Sequence, residues 1–210
     1  MKTKRKSFTG ERPIFTGSPA LVQGGFNLDV VNQRFAVGDT IPGGCLSIFN
    51  ETTRLVNVIK TAKVKAINAD DAKIVTLETD EFYEPIFAVG DKVLVNVSGT
   101  YAAAPEIKAI SKKESAYVIT LSAAISGLAV GNTIVEVVNK SDNAALIGDS
   151  NSVLPHDYDV REFETPIDVV ADTMQYALYE RRVLPIPASQ KDTTGRFLKA
   201  NPHVKLTQSF

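Results

Sequence analysis

The feature that most constrains this chain is a seven-residue sequence that occurs three times. The copies are 35–41 (FAVGDTI), 87–93 (FAVGDKV) and 128–134 (LAVGNTI). Glycine followed by Asp or Asn favours a tight turn, because glycine adopts backbone conformations that β-branched residues resist. The Ala-Val pair before the turn and the Ile or Val after it are expected to be buried anchors. Each copy therefore predicts two strands joined by a turn.

Longer pieces of sequence accompany the last two copies. Residues 64–67 (VKAI) match 107–110 (IKAI), and residues 74–77 (IVTL) match 118–121 (VITL), in the same order and at similar spacing. The repeats extend over about 64–97 and 107–138. One unit alone buries too little apolar surface to be stable, so two packed units predict a small barrel or sandwich. The pattern does not distinguish these two architectures.

The predicted fold class is therefore mainly β, with one C-terminal amphipathic helix and extended terminal arms. A further hairpin is expected from a strand at 45–49, a turn at 50–53 and a return strand at 54–59. The predicted segments are a basic extended arm (1–20), a β domain (21–139), a linker (140–164), the helix (165–183) and an extended C-terminal arm (184–210).

The helix prediction depends on apolar spacing. Helical periodicity places the following residues on one face: Ile167, Val170, Ala171, Met174, Ala177 and Leu178. Thr165 is a suitable N-cap and Pro166 fits the first helical position. Pro185 and Pro187 would end the helix.

Both ends of the chain look like docking segments rather than core. Net charge is −1, but Lys4, Arg5 and Lys6 make the N-terminal end basic. The last 27 positions, 184–210, contain three prolines and only scattered apolar anchors, among them Phe197, Leu198 and Phe210. Such a segment cannot form its own core, so it is expected to be disordered or to lie on another surface.

The sequence contains little material for catalysis. It has one cysteine and two histidines, and no phosphate-binding loop, zinc-protease or nucleophile-elbow motif. The repetition of Asp39, Asp91 and Asn132 at one turn position indicates backbone geometry rather than paired catalytic carboxylates. We therefore expect no enzyme activity, no catalytic residues, no metal site and no cofactor.

Four stretches carry a resemblance to a known group of proteins. They are 21–26 (LVQGGF), 37–46 (VGDTIPGGCL), 50–54 (NETTR) and 58–64 (VIKTAKV). Their order resembles the head-fibre and head-decoration proteins of tailed bacteriophages, over roughly residues 20–100. Gly44 and Cys45 stand where such runs usually carry Ala-Gly or Gly-Thr.

The resemblance implies a non-enzymatic virion protein on the capsid surface, made in the cytoplasm of a bacterial host. Its expected partners are further copies of itself, with a trimer favoured, and the phage major capsid protein; nucleic acid and membrane partners are not expected. The expected oligomer or capsid interface comprises Lys4, Arg5, Lys6, Ile167, Val170, Met174, Leu178, Phe197, Leu198 and Phe210. The alternative is a β-type binding or adhesion module for surface glycans or another protein.

Overall fold

A computed structural model describes residues 13–113, 116–173 and 176–208, and this part of the chain is mainly β. Its strands are β1 (Ala20–Leu28), β2 (Thr40–Ile41), β3 (Leu46–Asn50), β4 (Leu55–Val58), β5 (Thr61–Ile67), β6 (Ile74–Leu77), β7 (Lys92–Leu94), β8 (Ile107–Lys113), β9 (Ala116–Leu121), β10 (Thr133–Lys140), β11 (Asn143–Ala145), β12 (Ser152–Val153), β13 (Tyr158–Asp159), β14 (Pro166–Asp172), β15 (Leu178–Tyr179) and β16 (Leu206–Thr207). Short 3-10 helices cover Tyr101–Ala103, Glu180–Arg182 and Ala188–Gln190. Within the described ranges, no helix is long and apolar enough to cross a membrane.

The described residues form two large hydrophobic cores, one in each of two lobes, and a small third cluster of Ala104, Val135, Val137 and Ala144. The terminal lobe, residues 13–59 and 146–208, contains a five-stranded sheet of order β12-β3-β4-β1-β14. The inserted lobe, residues 60–145, contains a seven-stranded sheet of order β11-β10-β5-β6-β9-β8, with β7 also paired to β10. This second sheet curls into a half-barrel. The chain enters the inserted lobe at Lys60, so that residue lies at the junction of the lobes.

The predicted hairpin is confirmed in the terminal lobe. Strands β3 and β4 pair antiparallel, with Asn50 opposite Leu55. The side-chain oxygen of Asn50 accepts hydrogen bonds from the backbone N–H groups of Thr52 and Thr53, at 2.8 and 3.1 Å. These bonds hold the turn between the two strands.

The sequence repeat of the inserted lobe is also a structural repeat. In the first copy, Val64 pairs with Leu77 and a bulge follows Val64 in β5. In the second copy, Ile107 pairs with Leu121 and a bulge follows Ile107 in β8. These are equivalent positions in the repeat, so the two copies have the same strand register and a β-bulge at the same position.

A pseudo-twofold axis relates the two copies. Where β6 meets β9, Val75 lies opposite Ile119, and where β7 meets β10, Leu94 lies opposite Val135. Each of these pairs joins a residue to its own equivalent in the other copy, as residues on a twofold axis must do. The half-barrel is therefore assembled from two equivalent units, each completing the other.

The C-terminal helix predicted at 165–183 is wrong for the residues that the structure describes. Pro166–Asp172 form β14, which pairs antiparallel with β1, placing Ile167 opposite Phe26 and Val169 opposite Val22. Over a few residues a strand and a helix can bury similar sets of side chains. The β-branched run Ile-Asp-Val-Val favours the strand, which also buries Val169, a residue off the expected helical face.

The segments predicted as a linker and a C-terminal arm contribute to the terminal lobe. Val153, Leu154 and Val160, from within 140–164, are buried in its core. From the last segment, the buried residues are Leu184, Ile186, Leu198, Val204 and Leu206. Residues 184–208 thus pack into their own chain, and β16 pairs in parallel with β15.

Candidate functional site

The three repeated turns have one backbone geometry. In each, the Asp or Asn N–H donates to the alanine carbonyl three residues earlier, at 3.1 Å, for Asp39, Asp91 and Asn132. The intervening glycines have φ of +88°, +94° and +87°, as the third position of a type II turn requires. The interpretation of this motif as a turn is confirmed.

Each turn also docks on a neighbouring segment of the chain by a reciprocal pair of hydrogen bonds, and in the inserted lobe that segment is a strand. Gly90 N donates to Ile107 O and Ile107 N donates to Asp91 O, both at 2.8 Å. The turn of the second copy makes the same pair with Val64 of β5, and the turn at 36–39 makes it with Val160. Each inserted-lobe turn is therefore held by the first strand of the other copy.

The valines of these turns are exposed, contrary to the expectation that they are buried anchors. The exposed fractions are 65% for Val37, 55% for Val89 and 64% for Val130. Each valine occupies the second position of its turn, which points away from the strand on which the turn docks. The residues after the turns, Ile41, Val93 and Ile134, are fully buried as expected.

A buried cluster of charged groups lies at the lobe junction. The Lys60 side chain has no exposed surface, and its Nζ lies 2.7 Å from Asp91 Oδ2 and 3.4 Å from Glu136 Oε1. Nζ also donates to the carbonyl oxygen of Arg34 and lies 4.6 Å from the ring centre of Phe35. One cation thus faces two carboxyl groups, and neither Lys60 nor Asp91 has exposed side-chain surface.

Gln33 connects this cluster to the terminal lobe. Its amide donates to Glu136 Oε2 at 2.9 Å and to the Val58 carbonyl at 2.7 Å, while its oxygen accepts from Val58 N at 2.7 Å. Burial raises the pKa of Glu136 to about 7, although Lys60 opposes this effect; Asp91 adds to it. Glu136 can therefore exchange a proton near neutral pH.

The two oxygens of Asp91 have unequal surroundings. Oδ2 accepts from Ala88 N at 2.8 Å and from Lys60, whereas Oδ1 is buried without a hydrogen-bond partner among the described groups. Asp91 and Glu136 line a cleft of about 510 Å³ that also includes Arg34, Phe35 and Tyr101. The cleft gives small molecules such as water a route to the cluster.

The cluster exists in only one copy of the repeat. By the repeat alignment, Ala103 corresponds to Lys60, Asn132 to Asp91 and Val95 to Glu136. Asn132 keeps only the turn function, accepting from Ala129 N at 2.8 Å. The charged triad is therefore additional to what the half-barrel requires, and it occurs where the terminal lobe joins.

Of the residues predicted to form an interface, those that the structure describes are buried or half-buried in the terminal lobe rather than exposed on its surface. Ile167, Val170, Leu178 and Leu198 are core residues of the terminal lobe, and Phe197 is half-buried. The remaining predicted residues lie outside the described residues: Lys4, Arg5, Lys6, Met174 and Phe210. The large apolar side chains that the described surface exposes most are instead Val31 (88%) and Phe163 (82%).

The sequence interpretation missed both the charged cluster and these apolar side chains. Lys60 interrupts the apolar run Val-Asn-Val-Ile-Lys-Thr-Ala. A lysine inside a buried strand pattern indicates a buried side chain that is paired with an opposite charge. Phe163 stands alone among charged residues in Arg-Glu-Phe-Glu, which is typical of an exposed aromatic side chain. No sequence signal connects Lys60 with Glu136, because their proximity depends on the fold.

Other candidate chemistry is weak. Cys45 is buried, and burial raises the pKa of its thiol, with the Asp157 charge adding to the effect. Among the described residues there is no group of three His, Cys, Asp or Glu side chains that could hold a metal ion. Comparisons of the chain with protein-family models, curated proteins and solved structures find no match.

Proposed function

We propose that this chain is a non-enzymatic structural protein of a phage or prophage head, attached to the capsid surface and acting through protein–protein contacts. The proposal is supported by the positions of two kinds of side chain, the charged groups and the large apolar groups. The charged groups best suited to reaction, Lys60, Asp91 and Glu136, bind one another at the lobe junction, while large apolar side chains are exposed on loops.

The exposed side chains support contact with other proteins. Val31 lies on a loop held by Asp29, whose carboxylate accepts from the backbone of Val31 and Asn32 and from the side chain of Asn57. Partial burial opposes ionisation of Asp29, but these hydrogen bonds outweigh it and lower its pKa. Because this loop is already ordered, a partner that binds Val31 causes little further loss of conformational entropy in the loop.

The resemblance to head-fibre and decoration proteins supports the choice of partner. The resembling stretches fall on β1, on the first repeated turn with β2, on the β3–β4 hairpin and on β4–β5. They therefore include residues of β1, β3 and β4 in the sheet of the terminal lobe, and the entry to the inserted lobe. Copies of the chain, with a trimer favoured, and the major capsid protein are the proposed partners; repeated display on a capsid lets weak single contacts suffice.

Light scattering on the eluting full-length protein, together with detection of the chain in density-purified phage particles, tests this proposal. We expect an oligomer, and we expect Val31→Asp with Phe163→Asp to shift it toward monomer and to reduce particle association. Glu162→Gln, an exposed neighbour of Phe163, is the matched control and should change neither. A monomeric chain that is absent from particles would refute the proposal.

One observation favours the alternative of a glycan-binding module. The 510 Å³ cleft combines the aromatic rings of Phe35 and Tyr101 with the amides of Asn32 and Asn139, a combination suited to sugars. Binding on a glycan array that Tyr101→Ala abolishes would support this alternative. An array without signal would leave the structural role as the better explanation of the chain.

A further inference from the structure

The charged triad at the lobe junction has the composition of a self-reacting site. An amine and a carboxyl group can condense to an amide when they are held in contact, stripped of water and supplied with a proton relay. We propose that Lys60 and Asp91 form an intramolecular amide bond between Nζ and Cγ, with Glu136 as the catalytic residue.

Proximity is the first argument. Lys60 Nζ lies 2.7 Å from Asp91 Oδ2, so the carboxyl carbon is one covalent bond beyond the contacted atom. Reacting atoms about 3–3.5 Å apart are in near-attack range. Neither side chain has exposed surface, and the backbone on both sides is fixed, since Lys60 O accepts from Glu136 N and Asp91 belongs to a docked turn.

Burial is the second argument, because it favours the neutral reactants. In water a lysine amine is protonated and a carboxylate is ionised, and neither form reacts with the other. Away from water, charged groups lose hydration, so proton transfer from Lys60 to Asp91 along their hydrogen bond becomes less unfavourable. The reaction proceeds from the proton-transferred form of the pair, in which a neutral amine, a nucleophile, lies beside a neutral carboxylic acid, an electrophile.

The surroundings of Asp91 suit the addition step. The proton that Lys60 gives up reaches Oδ2, the oxygen that Nζ contacts, so Oδ1 is the carbonyl oxygen of the neutral acid. When Nζ attacks Cγ, the negative charge develops on Oδ1, while Ala88 N donates to the hydroxyl oxygen Oδ2 at 2.8 Å and stabilises it as a leaving group. Oδ1 therefore becomes the amide oxygen, and Oδ2 leaves.

Glu136 supplies the proton relay. Its Oε1 lies 3.4 Å from Nζ, and Gln33 holds its other oxygen at 2.9 Å. As the carbon–nitrogen bond forms, the Glu136 carboxylate accepts a proton from the amine and passes it to Oδ2, which already holds the proton from Lys60. The bond from Cγ to Oδ2 breaks, the charge on Oδ1 returns to the carbonyl bond, and water leaves.

The atoms and protons of this step balance without a co-reactant. The amine of Lys60 and the carboxylic acid of Asp91 give one amide and one water molecule, and Glu136 ends in its starting protonation state. The remaining amide hydrogen can donate to the carbonyl of Arg34, which Lys60 already contacts. The 510 Å³ cleft beside Asp91 and Glu136 receives the water.

The bond would join the lobe junction to the first repeated turn of the inserted lobe. It closes a covalent loop from Lys60 to Asp91, which includes β5, β6 and the segment containing Phe82 and Ile86. These two side chains pack in the core of the terminal lobe. The amide would therefore restrain the part of the inserted lobe that contacts the terminal lobe. The inference is independent of the proposed capsid role.

Intact mass spectrometry of the purified full-length protein tests the proposal. We expect the mass to be lower than the sequence mass by one water molecule, and digestion followed by tandem spectrometry to place the loss on a branched peptide joining Lys60 to Asp91. A full sequence mass after prolonged incubation of the folded protein, on both sides of the Glu136 pKa, would overturn it. So would a loss located at any other pair.

Variants separate the roles of the three residues. Lys60→Arg should abolish the mass loss, whereas Lys63→Arg should retain it, because Lys63 forms a solvent-exposed pair with Glu78 at 3.4 Å. Glu136→Gln should slow or abolish the loss while circular dichroism shows the folded β spectrum. If Glu136→Gln reacts as fast as the unchanged chain, Glu136 is not the relay; if it does not fold, Lys60→Arg and the mapped peptide decide the bond itself.

Discussion

The carboxyl group of Glu136 makes the stability of this protein depend on pH. Burial raises its pKa from 4.5 to about 7, so between these values the folded state binds more protons than the unfolded state. Stability from this group is complete below the unfolded pKa and is lost as pH rises through the folded pKa. We expect a loss on the order of 3 kcal/mol in the free energy of unfolding across this window.

Urea unfolding at several pH values measures this effect. Glu136→Gln removes the titrating group, so the stability of the variant should vary less with pH over the same window. The slope of the unfolding free energy against pH is compared between the two proteins, because the substitution can also change the absolute stability in other ways. Equal slopes in both proteins would contradict the raised pKa.

Two glycines provide a matched test of backbone strain and packing. Gly131 has φ of +87° and open space where a Cβ would lie, so Gly131→Ala should cost only the left-handed strain of about 1–2 kcal/mol. Gly44 has φ of +79°, and its Cβ would lie 2.1 Å from Val183 Cγ1. Gly44→Ala should therefore lose roughly 1–3 kcal/mol more, from overpacking. Thermal unfolding of both variants shows which substitution lowers stability more. Equal losses of stability would show that the Val183 side chain moves away from the new Cβ without an energetic penalty.

Strand β14 is the element on which sequence and structure differ most. Its period-two burial can be tested at adjacent positions, since Val169 is fully buried and Asp168 is exposed. Val169→Ala should cost about 2 kcal/mol through lost burial and a cavity. Asp168→Ala should change stability by less than about 0.5 kcal/mol. In a helix built on Ile167, Val170 and Leu178, Val169 would lie off the apolar face, and the same substitution would be nearly neutral.

Sequence predicts an element well when its signal is local. The repeated Ala-Val-Gly-Asp turns and the Asn50 hairpin depend on glycine and Asx geometry within a few residues, and the structure has them. Strand β14 depends on its partner β1, which lies far away in the sequence, and the apolar spacing alone fitted a helix. The burial of the apolar side chains in 184–208 depends likewise on a distant strand and core, so composition alone does not distinguish a disordered arm from one that lies on another surface.

The candidate site was less predictable than the fold. Asp91 was recognised as a turn residue, but the same motif with Asn132 has no charged partner, so the motif does not reveal the cluster. Lys60 and Glu136 meet only because β5 pairs with β10. Such contacts arise from tertiary structure, and one sequence contains no record of them.

At the level of the whole molecule, a charged cluster of the inserted lobe lies at the junction and is hydrogen-bonded to Gln33 and the Arg34 carbonyl of the terminal lobe. The pseudo-twofold axis makes both ends of the half-barrel equivalent in backbone, yet only the end that meets the terminal lobe carries Lys60, Asp91 and Glu136. Gln33 then extends this network into the terminal lobe. The arrangement predicts that the lobes lose their coupling when the cluster is left with unbalanced charge.

Lys60→Met tests this prediction against a triple variant, Lys60→Met with Asp91→Asn and Glu136→Gln. Neither protein can form the amide, so cross-linking does not enter the comparison. The single variant leaves two carboxyl groups buried without a cation and should be less stable than the triple variant by about 3–5 kcal/mol above neutral pH. Acidification should narrow the difference, because protonation removes the unpaired charges. Hydrogen exchange should show the added opening of the single variant at β5, β10 and the turn at Asp91. Equal stability of the two variants would mean that the lobes are joined by apolar packing alone, with the charges accommodated by water from the cleft.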